Sequence, residues 1–267
     1  MSNPNPATTV TGDRNDLDPG QSSGLPQRRP AFVLPSFKEL LRDIIGQFYP
    51  NLCLCCGKNH VHIHDILCLK CHLGLPRTND HLHPKNISAE RLWGRLPLQA
   101  CAALYKFTAS SDTRHLIHRL KYERHPEVGV ALGEFYGSIL KTAPVFNTVE
   151  CIVPVPLHPR KRRMRGYNQS EEFGKGLAKS MEIPQYPHGL LRTVFTKSQT
   201  QKSRSGRFEN VERVFKLGNW EQLKGKHVLL VDDVLTTGAT LEFCGLPILE
   251  LPDTKLSIAT IAVATNG

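Results

Sequence analysis

Short apolar runs alternate, from about residue 98 onward, with stretches in which apolar residues recur every three or four positions. The runs at 98–107, 150–155, 189–195, 227–232 and 256–264 predict strands, and the stretches near 112–122, 126–141, 168–181 and 238–250 predict helices. Their alternation predicts βαβ units, and so an α/β domain with a mainly parallel sheet over 76–267. Within the last helical stretch, Gly245 and Pro247 predict an interruption or a kink. Upstream, Ser36 and Glu39 form a capping box, and Phe37, Leu40, Leu41, Ile44, Ile45 and Phe48 predict an amphipathic helix stopped by Pro50. Lys38, Glu39, Arg42 and Asp43 cancel in charge, which favours docking on the main domain over an anionic membrane surface. Residues 1–33 are polar and predict a disordered leader, and 76–95, rich in His, Pro and Asn, predicts a polar connection.

Between these segments lie two C-x-x-C pairs, Cys53 with Cys56 and Cys68 with Cys71, separated by eleven residues. Two tight turns that each present a thiolate pair suit one tetrahedral zinc ion, and four thiolates close its coordination, so the site is expected to be structural. Residues 34–75 are therefore expected to hold the amphipathic helix and a small zinc-ribbon-like module. Cys55 blurs the first pair, and His60, His62, His64 and His72 stand near enough in sequence to substitute as ligands.

The most informative segment runs from His227 to Thr240, HVLLVDDVLTTGAT. Its apolar run predicts a buried parallel strand that ends in Asp232 and Asp233, followed by a hydroxyl-rich turn with Gly238 and Ala239 and then a helix. Backbone N–H groups and a helix N-terminus converge at such a strand end and favour a phosphate. Thr236, Thr237 and Thr240 add hydroxyl donors, and two adjacent carboxylates suit neighbouring sugar hydroxyls or a metal ion. A P-loop and a G-x-G-x-x-G fingerprint are both missing from the sequence, so triphosphatase and dinucleotide readings lack their motifs.

A length of 267 residues with 40% apolar content supports one main domain and a small accessory module. The formal charge of +10 predicts anionic partners, either phosphate-bearing small molecules or nucleic acid. With no apolar run approaching the roughly 18 residues of a spanning helix and no signal-peptide core at the start, no membrane span and a cytoplasmic location are expected. Arg160, Lys161, Arg162, Arg163 and Arg165 place five cations in six residues, suited to a pyrophosphate, to a single-stranded backbone or simply to a solvated loop.

Residues 227–240 resemble the phosphoribosyl-diphosphate-binding motif of type I phosphoribosyltransferases. With the cysteine pairs, the run from Val153 to His158, the Arg165-Gly166-Tyr167-Asn168-Gln169 stretch and Gln199-Thr200-Gln201, the chain from about 35 to 264 resembles the ComF family of competence-associated phosphoribosyltransferase-like proteins. The resemblance implies a type I phosphoribosyltransferase-like fold that binds phosphoribosyl diphosphate, or a related ribose phosphate, together with Mg2+. It implies that Thr236 to Thr240 grip the 5-phosphate, while Asp232 and Asp233 hold the ribose hydroxyls and stabilise charge at the reacting carbon. It further implies that the loop 155–159, with Pro156 and Leu157, holds pyrophosphate beside Arg165, Gly166, Asn168 and Gln169. The resemblance also matches residues 196–210, with Gln199, Thr200, Arg207 and Asn210, to a loop that closes over the site, a mobile surface loop being the alternative, and Lys121 and Tyr122 resemble a position near the substrate hood or form a solvated helix end. Three functions stay open: transfer of the ribosyl phosphate to an unknown acceptor, noncatalytic handling of single-stranded DNA with competence proteins in natural transformation, and ribose-phosphate sensing without turnover.

Overall fold

The computed structural model describes residues 52–61, 65–108, 111–193 and 214–265. The leader, the 36–48 helix, His62, His64, Gln199, Thr200, Arg207 and Asn210 lie outside the described residues. Four strands, β1 (Ala100–Phe107), β2 (Cys151–Pro154), β5 (His227–Leu235) and β6 (Lys255–Ala264), form a parallel sheet in the order β1-β6-β5-β2. The central strands are the most continuously apolar: Leu256 to Val263 of β6 are all buried, as are His227 to Val231 of β5. Burial on both faces is what a parallel sheet between two helix layers requires.

One layer contains α3 (Asp112–Tyr122), α4 (Pro126–Leu140) and α6 (Gln169–Met181), whose buried faces share an apolar cluster with Ile152, Leu229, Val231 and Ile261. The other contains α7 (Ala239–Leu249), which shares a second cluster with Val153, Val228, Leu230 and Leu256 on the opposite face. Adjacent β2 and β5 therefore lead into helices on opposite faces, α6 and α7, and a crevice opens between their carboxyl ends.

The expected α/β class with a parallel sheet is present, and three local expectations need correction. The 189–195 run does not join the sheet: β3 (Leu190–Arg192) pairs antiparallel with β4 (Phe215–Leu217) in a separate ribbon, because only Leu190 and Phe215 of the two strands are buried. The connection 76–95 carries structure. Its start pairs with the outer edge of β1 through Lys106 N–H to Pro76 O (2.8 Å) and Thr78 N–H to Leu104 O (3.1 Å). It then forms a 3-10 turn, Asp80–Leu82, and α2 (Ile87–Glu90), before burying Leu92 and Leu96 against the α7 face of the sheet. Finally, α7 runs through Gly245 and Pro247 without interruption. Gly245 lies under Leu96 and Leu256, where a Cβ would come within 2.8 and 2.9 Å of their methyl carbons, so its role is close packing. Pro247 sits in the last turn, which Glu250 N–H still closes onto Leu246 O (3.2 Å).

Candidate functional site

At the carboxyl end of β5 the strand does not end at its acids, as the sequence pattern suggests, but continues through Val234 and Leu235, which pair with Ala262 and Val263 of β6. Ladder pairing on both sides of them fixes the backbone of Asp232 and Asp233, and their side chains go to different partners. Ser170 Oγ, in the first turn of α6, donates to Asp232 Oδ1 (2.8 Å), and the N–H of Asp233 donates to the same oxygen (2.8 Å). Asp233 Oδ1 receives Lys121 Nζ (3.0 Å) from the last turn of α3. Burial, then the neighbouring Asp233 carboxylate, push the Asp232 carboxyl up to about 7, against the hydrogen bonds from Ser170 and the Asp233 N–H and the charge of Lys121.

The turn that follows exposes the side chains of Thr236, Thr237 and Thr240 and buries Gly238, which caps α7 in the left-handed region (φ 81°). A shallow hollow is lined by Asp232, Thr236, Gly238, Ala239 and Thr240. Behind Gly238 lies a segment that carries no functional signal in the sequence. Leu92 and Arg95 press against Gly238 so closely that a Cβ there would lie 2.8 Å from a Leu92 methyl and 3.1 Å from Arg95 Nη1. Arg95 Nη1 donates to Thr237 O (2.5 Å) and Arg91 O (3.0 Å), while Nε (2.9 Å) and Nη2 both reach the Glu242 carboxylate in the first turn of α7. Arg95 thus ties the turn to the helix behind it through paired, charge-assisted hydrogen bonds. Arg91 Nη2 donates to Ala264 O (2.9 Å), which anchors the same segment to the end of β6.

Across the crevice, Val155 N–H donates to Val231 O (2.9 Å), so the 155–159 loop leaves its strand at the same level as the two acids. Pro156 and Leu157 are half-buried. The basic run beyond them is a short helix, α5 (Pro159–Arg165), with no buried residue; His158 caps it by accepting from Arg160 N–H (3.1 Å), and Gly166 ends it with φ 85°. Asn168 caps α6 through Ser170 N–H (3.3 Å) and is fastened to Val155 O (2.9 Å). Arg165 Nη1 donates to Gln169 Oε1 (2.6 Å), and the buried Gln169 Nε2 has no partner among the described residues. Arg162 pairs with Glu171 (3.3 Å).

The cysteine module forms a second centre. The sulfurs of Cys53, Cys56, Cys68 and Cys71 all lie within 4.8 Å of one another, close to the ~3.8 Å edge of a tetrahedron with metal–sulfur bonds of about 2.3 Å. The four can hold one metal ion. Two closures shape them: Cys53 N–H to Asn59 O (2.8 Å) and Gly57 N–H to Cys53 O (2.8 Å) on one side, and the start of α1 (Leu69–Gly74) on the other. Asn59 Nδ2 donates to Cys68 Sγ (3.1 Å) and pulls its pKa down to about 6; the N–H groups of Asn59 and Lys58 lower that of Cys56. Cys55 is outside the set: its Sγ faces Asp112 O (3.8 Å) and burial raises its thiol to about 11. Among the described residues this is the cluster with metal-ligating geometry.

A larger cleft of about 200 Å³ lies at the opposite end of the sheet, lined in part by Asp80, His81, Asn86, Gln99 and Phe146. Its polar groups serve the chain itself. Asp80 Oδ2 accepts from Ser88 Oγ (2.5 Å) and Ala103 N–H (3.3 Å), and Asn86 Nδ2 donates to Asp80 O, His83 O and Cys101 O. Among the described residues no helix is long and apolar enough to cross a membrane.

No protein-family model matches the chain. It is 30% identical over 215 residues to the DNA utilization protein YhgH of Escherichia coli (strain K12), a match that covers 78% of this chain and 88% of the relative. It is 36% identical over 93 residues to Competence protein F of Haemophilus influenzae, covering 34% of this chain and 41% of the relative. Competence protein ComFC of Bacillus subtilis is 29% identical over 145 residues, 54% of this chain and 56% of the relative. Among solved structures, the glutamine phosphoribosylpyrophosphate amidotransferase of B. subtilis aligns with a TM-score of 0.39 and 18% identity, over 54% of this chain and 30% of that one.

Proposed function

The chain belongs to the ComF family, and from that premise we propose that the crevice between β5 and β2 binds phosphoribosyl diphosphate or a related ribose phosphate. The observation that carries this reading is the pair Asp232 and Asp233, locked in the ladder and directed to separate partners, immediately before a left-handed glycine turn at the N-terminus of α7. In this reading the N–H groups and hydroxyls of Thr236 to Thr240 receive the 5-phosphate. Asp232 and Asp233 accept from the ribose hydroxyls, and the 155–159 loop with Arg165 faces the pyrophosphate. The hard oxygen donors of two adjacent carboxylates suit magnesium, which when bound with the diphosphate supplies charge neutralisation. Lys121, already against Asp233, adds a cation at the same place. If transfer occurs, the ribose C1–O bond breaks with its electron pair leaving on pyrophosphate, the acceptor bonds to C1, and the two carboxylates stabilise the positive charge between those events. The four-cysteine centre is assigned to structural zinc, and the protein to the cytoplasm.

Calorimetric titration with phosphoribosyl diphosphate and Mg2+ tests the site, with the Asp232→Asn, Asp233→Asn double variant as control. Saturable binding that disappears in the variant is expected; no binding by folded, metal-loaded protein would overturn the reading. Arg95 supplies a second prediction. Arg95→Lys keeps the charge but cannot hold Glu242 through two nitrogens and Thr237 O together, so ribose 5-phosphate affinity should fall about tenfold, the equivalent of one lost charge-assisted hydrogen bond. Unchanged affinity in a variant of unchanged melting temperature would remove Arg95 from the site.

The exposed cations of α5 favour one alternative, the handling of single-stranded DNA, and the name DNA utilization protein of one relative speaks of DNA. Salt-dependent strand binding that survives the double Asp→Asn substitution would select it.

A further inference from the structure

We propose that the cleft between the cysteine module and α4 binds a small carboxylate that carries one apolar ring. The inference is independent of the ribose-phosphate reading, since this cleft shares no lining residue with the hollow beside Asp232.

Ile66 and Leu67, from the stretch between the two cysteine pairs, and His72 of α1 form one wall of the cleft. Leu132 and Phe135 of α4 form the other, and Tyr105 of the edge strand β1 joins them. The volume is about 150 Å³, the size of an apolar protein cavity that takes up one benzene ring. Hydrocarbon and ring surfaces dominate these walls, so the bulk of the ligand is apolar. Ile66 and Leu67 immediately precede Cys68, and His72 follows Cys71, so a ligand held between the walls braces the cysteine segment against α4.

The polar groups select the rest of the ligand. Tyr105 is fully buried, and its hydroxyl has no hydrogen-bond partner among the described residues. Buried hydroxyls are nearly always satisfied, so one without a partner in a cleft wall calls for an acceptor from outside the chain. Burial raises this phenol to about 12 against the charge of Arg77, so it stays neutral and can donate. Arg77 is placed beside it by three contacts: its backbone bridges Tyr105, its guanidinium carbon lies 4.9 Å from the centre of the Phe135 ring, and its Nη2 lies 3.3 Å from His72 Nε2. It is exposed and pairs with no carboxylate among the described residues. A guanidinium can only donate, and a phenol beside it adds a second donor, so the pair suits the two oxygens of a carboxylate. A phosphate would leave oxygens against hydrocarbon without donors, and a neutral ring would leave Arg77 unmatched. Asp65, the acid in the lining, is exposed, where water screens its repulsion.

Calorimetric titration of the full, metal-loaded chain with sodium benzoate tests the cleft, with acetate and benzyl alcohol as probes that keep only the charge or only the ring. Benzoate should bind saturably and about tenfold more tightly than either, because each lacks one half of the match. It should also slow hydrogen exchange in 65–72 and 131–135. Arg77→Met should weaken benzoate about tenfold, the loss of one charge-assisted hydrogen bond, and leave the melting temperature unchanged because Arg77 is exposed. Tyr105→Phe, which deletes only the hydroxyl, should weaken it about fivefold. Ala131→Leu, which fills the cleft from α4, should abolish binding. Ribose 5-phosphate affinity should be the same in all three variants. If benzoate does not bind, if acetate binds as tightly, or if benzoate affinity is unchanged in Arg77→Met or in Ala131→Leu, the cleft is not a carboxylate site.

Discussion

Cys68→Ser is expected to release residues 52–75 from the face of the domain and to lower the urea midpoint of the whole protein. In the proposed zinc site Cys68 is drawn towards the thiolate, because Asn59 Nδ2 donates to its sulfur and lowers its pKa to about 6. Serine offers no thiolate, and three remaining sulfurs leave the coordination open. For small zinc modules the free energy of metal binding, about 10–16 kcal/mol, is folding free energy, so even a modest fraction rivals the ~5–15 kcal/mol stability of a typical domain. The loss should not stay local. Cys53, Cys55, Cys68 and Cys71 are buried in the same apolar cluster as Leu116, Ile117 and Leu120 of α3, so releasing the module uncovers that helix. Hydrogen exchange should accelerate first in 52–75 and then in α3, and bound zinc should fall below one per chain. A variant that retains one zinc and the parental urea midpoint would show that the four sulfurs do not act as a set. Cys55→Ser is the internal control: its sulfur faces a backbone carbonyl outside the set, and its substitution should leave zinc content unchanged.

Much of this architecture is legible in the sequence, and where it is not, the reason is physical. The helices at 112–122 and 168–181 follow from apolar spacing and from a cap, Asn168, that does bind the first turn. The paired cysteines are legible because two C-x-x-C turns at that spacing can bring four sulfurs within reach of one metal ion, and the four do lie within 4.8 Å of one another. The 189–195 run misleads because a short apolar signal does not distinguish a ribbon from a central strand; only burial of both faces does, and Leu191 is exposed. The continuity of α7 is invisible because Gly245 and Pro247 weaken a helix in isolation, whereas tertiary packing of Leu96 and Leu256 over Gly245 decides the matter. Arg95 and Ser170 escape notice for a related reason. A lone arginine in a polar connection and a serine in a helix carry no periodic signal, and each gains its role from a partner far away in sequence, with separations of 147 and 62.

Asp232→Asn should make the protein more stable at pH 8 while removing the ribose-phosphate binding proposed for this site, and the gain should vanish in acid. The sign follows from the raised pKa. In the folded chain the Asp232 carboxyl titrates at about 7, against an ordinary value of 3.8, because burial and the Asp233 carboxylate disfavour its charge. Between about pH 4 and pH 7 the folded protein therefore keeps a proton that the unfolded chain has released. Stability is fully retained below the unfolded value, declines as pH rises through this window, and is flat above the folded value. A difference of roughly three pH units corresponds to at most ~4 kcal/mol. Asparagine is neutral throughout and of the same shape. Its Oδ1 can still accept from Ser170 and from the Asp233 N–H, while its amide nitrogen must find a new acceptor, so a gain of about 2 kcal/mol at pH 8 is the realistic expectation. Urea titrations of both proteins from about pH 4.5 to about pH 8.5 should show curves that coincide at the acid end and diverge towards pH 7. A constant offset at every pH would mean that Asp232 is not the group that titrates. Divergence combined with lost ribose 5-phosphate binding would show that the chain holds a destabilised carboxylate in place for its ligand, as functional sites commonly do. Lys121→Met, which removes the cation from Asp233, should steepen the decline of the parent protein and leave Asp232→Asn less affected, because the two acids then repel without a counter-charge.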